Sequence, residues 1–245
     1  MQDRVWSNWR ALIGGVAVMA LAACSENAGD TATVPTSEAS QTASEGDLPA
    51  IPVMGPERHI LAFGDSLFAG YGLSQEQSYP AKLEAALRAQ GINAVMTNAG
   101  ISGNTSAAGR ERLVFTLDAQ EEKPDLFILE LGGNDLLRGL SPAETRANFE
   151  AMLNELKARE IPVLLMGMRA PPNYGGEYQA QFDAMYGELA EEYGTALIPF
   201  WLNDIYQDPS LFQNDRIHPT AEGIEALVAS TLDQVKEALP EEEKA

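Results

Sequence analysis

The sequence predicts an α/β protein, a three-layer αβα sandwich with a central five-stranded parallel sheet. Five short apolar runs alternate with longer segments in which apolar residues recur with the period of a helix. This alternation is typical of a parallel sheet that carries helices on both faces. Helix-capping residues at the ends of these segments support the same interpretation.

The five apolar runs are the predicted strands. Each run ends at or near polar or turn-forming residues, which is the expected boundary of a short buried strand. In chain order they are HILAF from His59, INAVMTN from Ile92, DLFILEL from Asp125, PVLLMGM from Pro162 and TALIPF from Thr195.

Three helices are predicted from periodicity and capping residues. Residues 79–90 place apolar side chains on one face and stop at a glycine, a natural C-terminal cap. Ser141, Pro142 and Glu144 form a capping box with proline at the first helical position, so a helix is predicted to begin there. A final helix is predicted over residues 220–239, where apolar residues share one stripe.

The N-terminal residues are predicted to be an export signal. Arg4 and Arg10 precede the charge-free stretch 11–23, which is shorter than the roughly 20 residues of a typical transmembrane helix. A short N-terminal helix of the domain is disfavoured, because the stretch has no amphipathic pattern. The small residues before Cys24 resemble the lipobox of bacterial lipoproteins, in which the cysteine is lipidated and becomes the mature N-terminus.

The domain organisation follows from these features and from composition. The segment after Cys24 is rich in Ser, Thr, Ala, Glu and Pro, so it buries too little apolar surface to fold. We expect the protein to be exported to the periplasm and anchored to the membrane through Cys24. The predicted parts are a signal peptide (1–23), a disordered acidic tether (24–57), a folded domain (58–240) and an acidic tail (241–245).

Charge and cysteine content exclude two classes of function. The formal net charge of -20 argues against a nucleic-acid partner, because such proteins neutralise phosphates with Lys and Arg. Cys24 is the only cysteine in the chain, so the folded domain holds neither a disulfide nor a thiol nucleophile.

Polar, glycine-rich loops follow the first three predicted strands. Gly64, Asp65 and Ser66 follow the first, NAGISGNTS from Asn98 the second, and GGND from Gly132 the third. Because the carboxyl ends of parallel strands share one edge of a sheet, we expect these loops to meet. Acyl transfer requires a nucleophile, a base, an acid that orients the base, and donors for an oxyanion. These loops supply Ser66 and candidate donors.

Histidine is the side chain best suited to act as the base near neutral pH, and the chain contains two. His59 precedes the first strand, so we expect it on the surface at the edge opposite Ser66. His218 follows Asp215 by three residues, a spacing that lets the carboxylate bind Nδ1 while Nε2 faces outward. By itself this pair is better explained as a cap for the final helix. Together with the glycine-rich loops, the catalytic interpretation is favoured.

Four stretches, FGDSLFAGYGL, NAGISGNTS, LGGND and DRIHP, resemble the sequence blocks of the SGNH, or GDSL, hydrolases. They follow the family's order across the domain and are most similar to the bacterial esterase branch of thioesterases, lysophospholipases and arylesterases. The resemblance implies an SGNH hydrolase fold and serine-dependent hydrolysis of carboxylic esters, with no metal or cofactor. It also implies a triad of Ser66, Asp215 and His218. The implied oxyanion hole combines the backbone N–H groups of Ser66 and Gly103 with the side-chain amide of Asn134.

The sequence departs from that branch at two positions. Phe68 stands where threonine is usual and Asn104 where aspartate is frequent, so we expect a changed polarity beside the nucleophile. Asp65 and Asp135 are rival acids, but both follow strands, and we expect them to tie loops together.

Apolar residues in loops near the rim favour a small-molecule ester with an acyl or aryl group. Small esters or lysophospholipids suit the predicted compartment better than coenzyme A thioesters. Two other functions stay open: a carbohydrate acetylesterase, which the same triad serves, and a non-catalytic lipoprotein binding module. Nothing in the sequence indicates an oligomeric state. The predicted lining residues are Pro171, Pro172, Tyr174, Trp201, Leu202, Leu211 and Phe212.

Overall fold

A five-stranded parallel sheet forms the centre of the fold, as predicted. The computed structural model describes residues 52–241. The sheet has the order β2-β1-β3-β4-β5, and every neighbouring pair is parallel. The predicted signal peptide, Cys24, most of the tether and residues 242–245 of the tail lie outside the described residues. The strands are β1 (Arg58–Gly64), β2 (Ala94–Gly100), β3 (Leu126–Leu129), β4 (Val163–Met166) and β5 (Ala196–Ile198).

Helices flank this sheet and complete the αβα sandwich. One group, α2 and α7, packs together, and a second group is formed by α3, α5 and α6. Between residues 52 and 241, no helix is both long and apolar enough to cross a bilayer. The helices of this part of the chain are α1 (Ser66–Ala69), α2 (Tyr79–Ala89), α3 (Ser106–Asp118), α4 (Gly133–Leu137), α5 (Pro142–Ala158), α6 (Gly176–Tyr193) and α7 (Ala221–Ala238).

The capping residues act as predicted. At the start of α5, Ser141 Oγ accepts a 3.2 Å hydrogen bond from the Glu144 N–H, and the Glu144 carboxylate accepts one of 3.4 Å from the Ser141 N–H. The predicted helices α2, α5 and α7 begin or end within one residue of the expected positions. The long helices α3 and α6 and the short helices α1 and α4 are additional to those predicted.

The core beneath α1 is aromatic. The ring of Phe68 stacks on Tyr79 at a centroid distance of 5.4 Å, and Trp201 meets both rings edge-on. Phe68 is 0% exposed. The expectation that Phe68 changes the polarity beside the nucleophile is therefore wrong: its ring points into the core, where stacking and apolar burial favour an aromatic residue.

The three glycine-rich loops all leave the carboxyl edge of the sheet. β1 ends at Gly64 directly before α1, β2 ends at Gly100, and α4 begins at Gly133 shortly after β3. β1 lies between β2 and β3 in the sheet. The loop that carries Ser66 is therefore flanked by the other two.

Candidate active site

Ser66 is held at the start of a short helix. It is the first residue of α1, and the Asp65 carboxylate caps this helix by accepting a 3.0 Å hydrogen bond from the Leu67 N–H. The chain then turns at Gly70, which has the left-handed φ of 74° that glycine adopts without strain. Ser66 Oγ lies 2.8 Å from His218 Nε2, across 152 positions of sequence.

A tight turn presents His218 toward Ser66. Asp215 Oδ1 accepts hydrogen bonds from the Ile217 N–H at 2.9 Å and the His218 N–H at 3.0 Å. Asp215 Oδ2 lies 2.7 Å from His218 Nδ1. The structure therefore brings Ser66, His218 and Asp215 into one hydrogen-bonded chain.

The hydrogen bonds of this turn keep the Asp215 carboxylate ionised. Burial acts to raise its pKa, but the hydrogen bonds from the His218 ring and from the backbone N–H groups of His218 and Ile217 lower that pKa to about 2. The carboxylate is consequently ionised throughout the neutral range. An ionised acceptor at Nδ1 leaves Nε2 free to take a proton from the serine.

The other histidine lies away from this site, as expected. His59 belongs to β1, at the opposite end of that strand from Ser66, and its Nε2 lies 3.6 Å from the Glu57 carboxylate. Its side chain is 31% exposed.

Two buried carboxyl groups lie beneath Ser66. Asp65 is 2% exposed and Glu130 is 0% exposed, and Glu130 Oε2 accepts a 3.3 Å hydrogen bond from the Asp65 N–H. Burial raises the pKa of both groups, and the charge of Asp65 raises that of Glu130 further. Glu130 is therefore the member of the pair that keeps its proton. Glu130 was not among the residues predicted from the sequence, although a charged residue inside the run DLFILEL was an available signal.

Asn134 is held by Asp65. Its Nδ2 donates a 2.8 Å hydrogen bond to Asp65 Oδ2, and Asp65 in turn caps the helix of the serine. Both residues line the same cavity as Ser66. The amide of Asn134 thus has a fixed orientation next to the serine hydroxyl.

The Gly103 loop is tied to both neighbouring loops by arginines. Arg138, directly after α4, donates a 2.8 Å hydrogen bond to the Gly103 carbonyl. Arg112 donates to the Asn104 side chain at 2.6 Å and to the Gly64 carbonyl at 2.9 Å. Gly103 has a φ of 80°. It does not itself line the cavity, so its expected contribution to an oxyanion hole stays a prediction.

Asp135 joins two loops, as expected of it. Its carboxylate accepts hydrogen bonds from the Ser106 N–H at 2.7 Å, from the Ser106 hydroxyl, and from the Thr145 hydroxyl at 3.2 Å. These contacts connect α4 with the first turns of α3 and α5. The carboxylate that orients His218 is therefore that of Asp215, not that of Asp135.

A cavity of about 310 Å³ opens beside Ser66 and His218. Of the predicted lining residues, only Leu202 and Phe212 border it. Trp201 is instead 1% exposed in the core, where its ring packs edge-on against both Phe68 and Tyr79. The remaining lining is mostly apolar: Leu67, Leu136, Leu137, Met168, Tyr206, Pro209 and Ile217, together with Asp65, Gly133, Asn134 and Arg216.

The other predicted lining residues, Pro171, Pro172, Tyr174 and Leu211, do not border the cavity. The Tyr174 hydroxyl donates a 2.7 Å hydrogen bond to the carbonyl of Leu136, a residue that does border the cavity. Within residues 52–241, no group of three or more His, Asp or Glu side chains is arranged to hold a metal ion.

Comparison with known proteins gives a consistent result. The chain is 42% identical over 160 residues to esterase TesA of Pseudomonas aeruginosa, covering 65% of this chain and 79% of the relative. It is 39% identical over 160 residues to thioesterase 1/protease 1/lysophospholipase L1 of Escherichia coli K12, covering 65% and 74%. A solved structure, that of the SGNH-hydrolase family esterase AlinE4, is 60% identical with a TM-score of 0.65, covering 77% of this chain and 100% of the other.

A family model described as GDSL-like lipase/acylhydrolase matches residues 62–226, which include all the residues described in this site. That match spans well over half of the chain. The parallel sheet, the SGNH-type neighbours and the esterase relatives agree with it. The chain therefore belongs to the GDSL-like lipase/acylhydrolase family, whose SGNH members are serine ester hydrolases.

Proposed function

We propose that this ester hydrolase uses Ser66 as its nucleophile, His218 as its general base and acid, and Asp215 as the residue that orients the imidazole. The observation that carries the proposal is the pair of hydrogen bonds, 2.8 Å from Ser66 Oγ to His218 Nε2 and 2.7 Å from His218 Nδ1 to Asp215 Oδ2. Both distances lie in the range required for proton transfer from a nucleophile to its base.

The reaction proceeds in two halves. Ser66 Oγ forms a bond to the ester carbonyl carbon while its proton moves to His218 Nε2. The tetrahedral intermediate collapses, the bond to the alcohol oxygen breaks, and His218 returns the proton to that leaving group. Water then attacks the acyl-enzyme with His218 again as base, which releases the carboxylic acid and restores the Ser66 hydroxyl.

The developing oxyanion requires donors that are already in place. We assign this role to the Asn134 amide and to the backbone N–H groups of Ser66 and Gly103. The assignment is supported by the bond from Asn134 to Asp65 and by the arginine contacts that tie the Gly103 loop to its neighbours. Preorganised donors stabilise the transition state without reorganisation during the reaction.

The proposed substrate is a carboxylic ester with an apolar acyl or aryl group. Support comes from the apolar lining of the cavity, in which Leu67, Leu136, Met168, Leu202 and Phe212 surround the approach to Ser66. Burial of such a group contributes about 25 cal/mol for each Å² removed from water.

The two histidines provide a matched test of the mechanism. Ser66→Ala and His218→Gln are expected to lower kcat for phenyl butyrate by several orders of magnitude, because each removes part of the proton-transfer chain. His59→Gln is the control, since the His59 side chain lies beside Glu57 at the end of β1 opposite Ser66. Unchanged hydrolysis by Ser66→Ala would overturn the mechanism.

We further propose that the chain is exported to the periplasm and anchored through a lipid on Cys24. The proposal rests on the sequence alone, on the charge-free stretch 11–23 and the small residues before Cys24. Mass spectrometry of the mature N-terminus is expected to find a diacylglyceryl cysteine. An unmodified Cys24, or a Cys24→Ser variant that stays equally in the membrane fraction, contradicts the anchor.

A further inference from the structure

Arg216 has a backbone conformation that is unfavourable for its side chain. Its φ is 59°, and among residues 52–241 it is one of two non-glycine residues with a positive φ, the other being Glu160. Glu160 follows the C-terminus of α5, where a left-handed residue commonly ends a helix. Arg216 ends no helix, and lies instead in the turn that joins Asp215 to His218.

The left-handed backbone at position 216 suits glycine better than arginine. Asp215 Oδ1 accepts hydrogen bonds from the N–H groups of both Ile217 and His218, and Arg216 lies inside this turn. Glycine adopts that region without strain, whereas a residue with a Cβ does not. Strained residues of this kind cluster at ligand-binding and active sites.

Arg216 borders the cavity that a substrate would enter. It lines the same cavity as Ser66 and His218, among side chains that are mostly apolar. Asp65 is the one residue with a carboxyl group among those that line the cavity, and it is 2% exposed and hydrogen-bonded to Asn134. Within the described part of the chain, no carboxylate lies within 4.0 Å of the Arg216 guanidinium. Its positive charge is therefore available to a ligand.

The other arginines near the carboxyl edge of the sheet make contacts outside the cavity. Arg138 donates to the Gly103 carbonyl, and Arg112 donates to Asn104 and Gly64. Arg169 lies over the Phe200 ring, 5.3 Å from its centroid, and does not border the cavity. In a chain of net charge -20, Arg216 is the one arginine or lysine among the residues that line this cavity.

We propose that Arg216 determines substrate specificity by binding an anionic group, a carboxylate or a phosphate, that the ester carries beyond its scissile bond. The inference rests on the proposed function of Ser66. The guanidinium matches the geometry of both oxyanions through paired N–H donors. The ester preferred by the site is thus amphiphilic, with an apolar part in the cavity and a negative charge at Arg216.

The test compares esters that differ in one charge. 4-Carboxyphenyl butyrate and its neutral methyl ester place the charge on the leaving group, whereas phenyl hemisuccinate and its methyl ester place it on the acyl group. Lysophosphatidic acid and the matching monoacylglycerol supply the phosphate arm. The wild type is expected to have a higher kcat/KM for the anionic member of at least one pair, and the pairs show which side of the ester meets Arg216.

Arg216→Gln is expected to lower the ratio of anionic to neutral kcat/KM by about tenfold, the size of one partly exposed charge-assisted contact. Arg216→Lys keeps the charge and is expected to retain part of the preference. Arg169→Gln, which removes an arginine outside the cavity, is expected to leave the ratio unchanged. Raising NaCl from 10 to 500 mM is expected to reduce the preference of the wild type, because salt screens exposed charges.

Arg216→Gly separates specificity from folding. It is expected to lower the ratio as Arg216→Gln does, yet to melt no lower than the wild type, because glycine relieves the strained φ. An equal ratio in the wild type and Arg216→Gln for all three pairs overturns this inference. If Ser66→Ala has meanwhile abolished hydrolysis of the neutral esters, the proposed function stands and only the role of Arg216 fails.

Discussion

Asn134 Nδ2 donates a 2.8 Å hydrogen bond to Asp65 Oδ2, which joins the loop after β3 to the residue that caps the helix of Ser66. An amide nitrogen carries two hydrogens, so one is left to face a substrate oxygen. The aspartate before the nucleophile therefore positions the proposed oxyanion donor and the nucleophile together. Glu130 supports this arrangement from below through the Asp65 N–H.

Asn134→Ala is expected to lower kcat by about 10² to 10³, with little change in KM, because the donor acts mainly on the transition state. Asn134→Asp keeps the size of the side chain but removes the donor and puts a second carboxylate against Asp65. We expect it to be at least as slow as the alanine variant. Steady-state kinetics on phenyl butyrate measure both, and a change confined to KM would contradict the role in the transition state.

Glu130→Gln is expected to stabilise the protein increasingly as the pH rises. Burial raises the pKa of Glu130 well above its ordinary value of 4.5, so above that pH the unfolded chain loses a proton that the folded chain keeps. The wild type then loses stability with rising pH, by up to about 1.4 kcal/mol per pH unit, until the folded carboxyl also ionises. A glutamine preserves the shape and has no proton to lose.

Urea unfolding of the wild type and Glu130→Gln at pH 5, 7 and 9 checks this expectation. The difference in free energy of unfolding should grow between the first and last pH. The matched control is Glu122→Gln at an exposed position. A difference that is the same at every pH would mean that Glu130 is ionised in the folded protein.

The strands were predictable from local sequence, and the resemblance to SGNH hydrolases indicated Ser66, Asp215 and His218, but the contacts that support these residues were not predictable. The rule that parallel strands share a carboxyl edge brought together the loops after β1, β2 and β3. The buried pairing of Asp65 with Glu130 depends on β1 lying beside β3, and strand order is a property of the whole chain. No single stretch of sequence encodes it.

The two long helices that were not predicted, α3 and α6, were missed for different reasons. On α3 the buried face consists of Ser106, Gly109, Leu113 and Leu117, so half of its positions are not apolar and the periodic signal is weak. Its first residue, Ser106, donates hydrogen bonds to Asp135 from both its N–H and its hydroxyl. On α6 the buried residues recur at helical spacing, and the signal was present in the sequence: Phe182, Met185, Tyr186, Leu189 and Ala190.

Tyr71 is expected to position the base. Its ring lies 4.4 Å from the His218 ring, centroid to centroid, although Tyr71 is 53% exposed. Gln213 fixes its backbone, because the Gln213 amide donates a 2.7 Å hydrogen bond to the Tyr71 carbonyl. Tyr71→Ala is expected to lower kcat about tenfold, in line with the roughly 0.5–1.5 kcal/mol of an aromatic pair. Tyr71→Phe keeps the ring and should recover most of the rate; an equally slow Tyr71→Phe would assign the effect to the hydroxyl instead.

Asp215→Asn is expected to lower kcat by about 10³ to 10⁴, because an amide does not fix the imidazole in the tautomer that accepts the serine proton. A second readout comes from stability. Because the folded pKa of Asp215 is about 2, against an ordinary 3.8, its contribution is complete above about pH 4 and is lost as the pH falls through 2. The melting temperature of the wild type should therefore exceed that of Asp215→Asn at pH 5, with a gap that narrows toward pH 2. A gap that stays constant over this range would show that the hydrogen bonds to His218 and Ile217 do not depend on the charge of Asp215.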